Sequence, residues 1–121
     1  MKTPPPPKAI LNDLLAKIIE KRDGKKCLKC GKLTPLHLSH IYPKGRHRRL
    51  EFEPDNLKFL CNSCHLFWWH RNPIEAKKWA EKVFEKMRLK RLDFIANKDR
   101  NMWSVDYKLI KIYLEQSLKK L

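Results

Sequence analysis

The stretch CLKCGKLTPLHLSHIYPKGRHRRLEFEPDNLKFLCNSCH, residues 27–65, decides how the rest of the chain is read. Its two C-x-x-C pairs, Cys27/Cys30 and Cys61/Cys64, hold all four cysteines of the 121-residue chain. Two such pairs can wrap one tetrahedral Zn²⁺ and fix both ends of a segment that would otherwise be a long loop. The fixed segment is then a scaffold, and the side chains between the pairs are the candidates for function. Four cysteines could instead make two disulfides, but that use belongs to small secreted domains. Met1–Lys8 is a proline-rich arm without the apolar run of a signal peptide, so the expectation is an intracellular chain with reduced, metal-bound thiols.

Within the bracket, Cys27–Gly31 reads as a zinc knuckle. Leu36–Tyr42 alternates weakly, as a strand does, and Leu50–Phe52 is the expected partner strand. Between them Pro43-Lys44-Gly45 signals a turn, followed by the basic run Arg46-His47-Arg48-Arg49. Pro54-Asp55-Asn56 is a second turn. Cys61 to about His70 is expected to be a short helix bearing Cys64, His65, Trp68 and Trp69.

Outside the bracket, Pro4–Pro7 should be extended and disordered. Ile10, Leu11, Leu14, Leu15, Ile18 and Ile19 form one apolar stripe, an amphipathic packing helix closed by Gly24. Asn72-Pro73 suits a helix start, with Glu75 in the first turn. The stripe that follows is Ala76, Trp79, Ala80, Val83, Phe84 and Met87, beside a basic face of Lys77, Lys78, Lys82, Lys86 and Lys90. Polar residues from Asn97 to Asn101 break the pattern before a last helix from about Val105 to Lys120. The organisation expected is an arm (1–8) and a single domain (9–121), with a core at 27–72 and C-terminal helices over 73–121.

The charge balance is lopsided. Twenty-eight Lys and Arg against 13 Asp and Glu leave +15, with a pI near 9.9 and a mean hydropathy of −0.65. That much charge on a small domain repels itself unless a polyanion neutralises it, and nucleic acid is the commonest polyanion. No apolar run approaches the roughly 20 residues that cross a bilayer, so no membrane partner is expected. Lysine outnumbers arginine, which fits a lysine-rich background as well. Charge therefore points to a nucleic-acid partner and not to chemistry on it.

Chemistry enters with three residues at suggestive spacing: His40 at the end of the first strand, Asn56 after the second turn, and His65 directly after Cys64. Here the sequence resembles the HNH endonucleases of the ββα-metal superfamily. The wording LHLSHIYPKGR, LEFEPDN and LCNSCH looks most like phage-type zinc-containing HNH proteins, including NinG-like recombination proteins. The resemblance covers roughly Cys27 to Asn72. It implies an α+β fold, a small zinc-stabilised ββα-metal core flanked by N- and C-terminal helices. It also implies DNA cleavage with a catalytic Mg²⁺ or Mn²⁺ beside the structural Zn²⁺ on Cys27, Cys30, Cys61 and Cys64, in a host cell's cytoplasm.

In that reading His40 is the general base, since an imidazole near its ordinary pKa of about 6.5 can take a proton from water. His65 ligates the catalytic ion, and Asn56 braces the loop or joins the ligands. One departure stands out: the family usually has Asp immediately before the catalytic histidine, and here it is Ser39, a poor ligand for a hard ion. Asp55, Glu51 and Glu53 are the acidic residues near enough in sequence to replace it. His37 lies three residues before His40, on the other face of a regular strand, and reaches the metal only if the strand twists. His70, five residues after His65, falls roughly 140° around an α-helix, which argues against co-ligation. Lys44, Arg46, His47, Arg48 and Arg49 are the expected DNA contacts, arginine forks being suited to phosphate. Trp68 and Trp69 could stack on bases, although packing is expected for at least one. The competing reading is a non-catalytic zinc-stabilised nucleic-acid-binding module.

Overall fold

The computed structural model describes residues 4–98 and 105–121. Helix α1 (Lys8–Asp23) buries Leu11, Leu15, Ile18 and Ile19, one face at helical spacing. It stops at Gly24, whose φ of +86° lets its N–H reach back to Glu20 O. Strand β1 (Leu36–His40) pairs antiparallel with β2 (Leu57–Cys61), Leu36 opposite Cys61 and His40 opposite Leu57. A π-helix follows at Cys64–Trp69, then α2 (Pro73–Val83), α3 (Lys86–Lys98) and α4 (Tyr107–Lys119). The architecture is α+β, a two-stranded sheet among helices beside a four-cysteine cluster.

Three apolar clusters hold these elements together. α1 and α4 close over one side of the sheet, where Leu11, Leu15 and Ile19 meet Phe52, Leu57, Phe59 and Leu114. Cys27, Leu60 and Cys61 pack with Trp69 and with Trp79 of α2. Leu50 packs with Leu92 and Ala96 of α3, and with Ile41 and Tyr42. Arginines then tie the loop before β2 to helices on either side. Arg22 of α1 donates to Pro54 O (2.8 Å) and Leu57 O (2.6 Å), and Arg88 of α3 to Asp55 O (2.7 Å) and Leu57 O (3.2 Å).

The structure corrects two expectations. The partner of β1 is Leu57–Cys61, not Leu50–Phe52. Arg48–Leu50 is a 3₁₀ turn, and Leu50 and Phe52 anchor two different clusters. The apolar stripe after Pro73 is also broken. Phe84 is extended (φ −93°, ψ 145°) and turns onto Trp79, leaving Val83 and Met87 exposed. The polar break expected at Asn97–Asn101 lies mostly outside the described residues.

Candidate functional site

The four thiols come together. Sγ atoms of Cys27, Cys30, Cys61 and Cys64 lie within 4.8 Å of one another, and Cys30 and Cys61 are 3.6 Å apart. Ligands on Zn²⁺ at about 2.3 Å in tetrahedral array are about 3.8 Å apart, so the spacing fits one ion and not a disulfide. The knuckle turns at Gly31 (φ +80°), whose N–H donates to Cys27 O. Burial works against the Cys27 thiolate, yet backbone hydrogen bonds at Cys30, Cys61 and Lys29 bring its pKa down to about 6. Burial and the neighbouring sulfurs push Cys64 far up. A ready thiolate on Cys27 beside a reluctant thiol on Cys64 suits a site completed by a cation.

β1 and the turn before β2 carry the next two residues. His40 Nε2 lies 2.9 Å from Glu51 O. A carbonyl only accepts, so Nε2 holds the proton and the neutral ring keeps its lone pair on Nδ1. Burial lowers the His40 pKa, and the Lys44 and Lys58 charges lower it further against the pull of the Glu51 carbonyl. Asn56 is fully buried and its amide is spent on backbone. Nδ2 donates to Tyr42 O (3.1 Å) and Leu50 O (2.9 Å), and Oδ1 accepts from Tyr42 N (2.8 Å). The amide bridges both ends of the 42–50 loop.

His65 stands between two other imidazoles. His37 Nδ1 is 3.0 Å from His65 Nδ1, and His70 Nε2 is 3.0 Å from His65 Nε2. The angular objection to His70 assumed an α-helix. The helix here is π, with His70 N–H bonded to His65 O, and i→i+5 bonding brings residues five apart onto one face. Burial lowers the His65 pKa to about 4, helped by His70 and His37, so the ring is neutral and free to ligate. Two nitrogens cis on one ion at about 2.1 Å are about 3 Å apart, so the His65/His70 spacing fits an octahedral ion.

No expected carboxylate joins these rings among the described contacts. Glu53 is buried, pushed up by burial, and bound by Arg91 (2.6 Å) and Tyr113 (3.4 Å). Asp55 pairs with Arg91 and Glu51 with Lys8. Ser39 is also withdrawn as a ligand. It is fully buried, and its hydroxyl accepts from Lys58 Nζ at 2.9 Å.

Lys58 escaped the sequence reading altogether. It is fully buried in the middle of β2, with Nζ 3.3 Å from the Trp69 ring centroid and 3.4 Å from His40 O. The Trp69 face favours the charged form, but burial opposes it and, with Arg88 nearby, brings the pKa well below the usual lysine range. The signal in the sequence was a lysine inside an apolar run, LKFLC.

His40, His65 and His70 open into one cleft of about 1110 Å³ between the sheet and the α2–α3 pair. Lys44 lines it, while Arg46, Arg48 and Arg49 are exposed nearby on the turn. His47 is turned partly inward. It is half-buried edge-on to Tyr42, with Nδ1 enclosed and without a hydrogen-bond partner. Trp68 and Trp69 both pack around Trp79, at 5.2 and 6.3 Å between centroids.

Residues 25–66 match the family model described as HNH endonuclease. No curated protein and no solved structure matches the chain. The HNH segment spans the thiol cluster, His40, Asn56 and His65, and ends before His70 and the helices that complete the cleft. No helix among the described residues is long and apolar enough to cross a membrane.

Proposed function

We propose that the chain is a metal-dependent DNA endonuclease, with His40 as general base and His65 and His70 holding one divalent ion. The observation that carries this reading is the His40 Nε2 contact to Glu51 O, which leaves a neutral Nδ1 lone pair on a ring lining the cleft. A base must be unprotonated and within reach of its water; burial favours the neutral ring against the pull of the Glu51 carbonyl, which fixes the tautomer. Asn56 keeps the 42–50 loop, and with it the neighbouring Glu51 carbonyl, in place behind the ring. Arg46 and Arg48 are exposed to clamp flanking phosphates. A bound divalent ion supplies Lewis-acid stabilisation of the phosphoryl and leaving oxygens. Imidazole ligands without a carboxylate favour Mn²⁺ over harder Mg²⁺.

The test is cleavage of supercoiled plasmid with Mn²⁺ or Mg²⁺. His40→Ala is expected to lower the rate by about 10²–10⁴-fold, with zinc content and DNA affinity unchanged. Wild-type rates from His40→Ala would remove the base. A second reading, a non-catalytic zinc-stabilised nucleic-acid-binding module, is favoured by one observation: Glu51, Glu53 and Asp55 are tied to cations and not to the imidazoles. Intact plasmid under every divalent ion, with binding retained, would favour that module.

A further inference from the structure

The cleft has a second wall that the HNH segment does not contribute. α2 and α3 bring Lys77, Lys86 and Lys90 into the lining that holds His40, His65 and His70, with Lys44 on the opposite side. Glu81 and Asp93 share that lining, so the four lysines outnumber the acids two to one. The floor between the walls is apolar, built from Leu38, Ile41, Tyr42, Trp69, Ala80 and Leu89.

A cation-edged cleft with an apolar, partly aromatic floor suits one kind of polyanion. Duplex DNA presents phosphates outward and keeps its base faces stacked away, so an apolar floor gives it nothing. An unpaired strand offers phosphates and base faces together, and single-strand sites combine a basic groove with aromatic platforms. We infer that this cleft takes single-stranded DNA, with Lys77, Lys86 and Lys90 on its phosphates and bases against the Tyr42–Leu89 floor. This rests on the proposed function only for the choice of nucleic acid as the occupant. It adds the strand state and a set of contacts outside the matched segment.

Binding alone tests it, so cleavage is not needed. Zinc-loaded full-length His40→Ala protein is titrated, by fluorescence anisotropy, into a labelled single strand and into the same sequence as a blunt duplex. The single strand is expected to bind roughly tenfold tighter or more, the scale of one or two stacked bases. Lys77→Gln, Lys86→Gln and Lys90→Gln together should erase that preference. The salt dependence for the single strand should flatten by about 0.7 in log–log slope per lysine. Zinc content and circular dichroism check that the variant is folded. Equal or tighter binding to duplex overturns the inference, as does a single-strand preference untouched by the triple substitution. A wild type that cuts nothing but shows the lysine-dependent preference removes the proposed nuclease and leaves this inference standing. A wild type that cuts but prefers duplex does the reverse.

Discussion

One hydrogen bond sets the tautomer of His40 and burial sets its protonation, which in the proposed nuclease can be read as a pH profile. Protonation is disfavoured in the fold, so the neutral ring persists below the ordinary value of about 6.5. The rate should therefore rise with pH along an acid limb centred below 6.5 and stay flat from 7 to 8. Lys44→Gln removes a charge that depresses the pKa, and kcat/KM against pH should show that limb moving up toward 6.5. A limb that stays put under Lys44→Gln would disconnect it from His40. Because the folded value is the lower one, His40 also costs stability as pH falls through this range, having no effect above it. His40, Asn56 and His65 were legible because their spacing carries the family resemblance. Lys58 was missed, since its one sequence signal, a lysine inside the apolar run LKFLC, does not by itself say that both faces of the strand are covered. The contacts of His37 and His70 with His65 were not foreseen, because the angles of ideal elements separate those residues.

Helix geometry explains why His70 meets His65, and strand burial explains the mistaken partner of β1. β2 is buried at all five positions, Leu57–Cys61, between the α1–α4 cluster and the aromatic and thiol cluster. It lacks the polar alternation by which a half-exposed strand is recognised, and the expectation from sequence falls on Leu50–Phe52 instead. α1 and α4 were legible from their stripes, whereas the break at Phe84 depends on Trp79 and leaves no mark in the periodicity. The loop between the strands has its own test. Asn56→Ala takes the amide partner from Tyr42 N and Tyr42 O, which are part-buried, and from the buried Leu50 O. At about 1–3 kcal/mol for a stranded group, partly relieved by relaxation, the loss should be about 2–4 kcal/mol. Urea unfolding should show it, and an unchanged midpoint would mean that water replaces the amide freely.

At the scale of the whole molecule the thiols are expected to matter most, because the apolar core is divided among three separate clusters. Zinc released by a strong chelator should unfold the segment from Cys27 to Cys64, and Cys27→Ser or Cys61→Ser should do the same. Elemental analysis should find one tightly held zinc per chain, since binding energy of structural sites is folding energy. Four freely reactive thiols in a chain that keeps its circular dichroism would refute this. The thiol cluster was legible from Cys spacing, and the α+β class from the family resemblance. The cleft was not, because its far wall comes from residues 73–98, which carry no motif. Arg22 and Arg88 give that arrangement a last consequence. A matched segment invites treatment as a cartridge that can be lifted out and fitted to another chain. Here the carbonyls of Pro54, Asp55 and Leu57 are gripped by guanidinium groups that residues 25–66 do not include. Lifted out, the cartridge would leave its fastenings behind, and a graft of this unit has to carry α1 and α3 along with it.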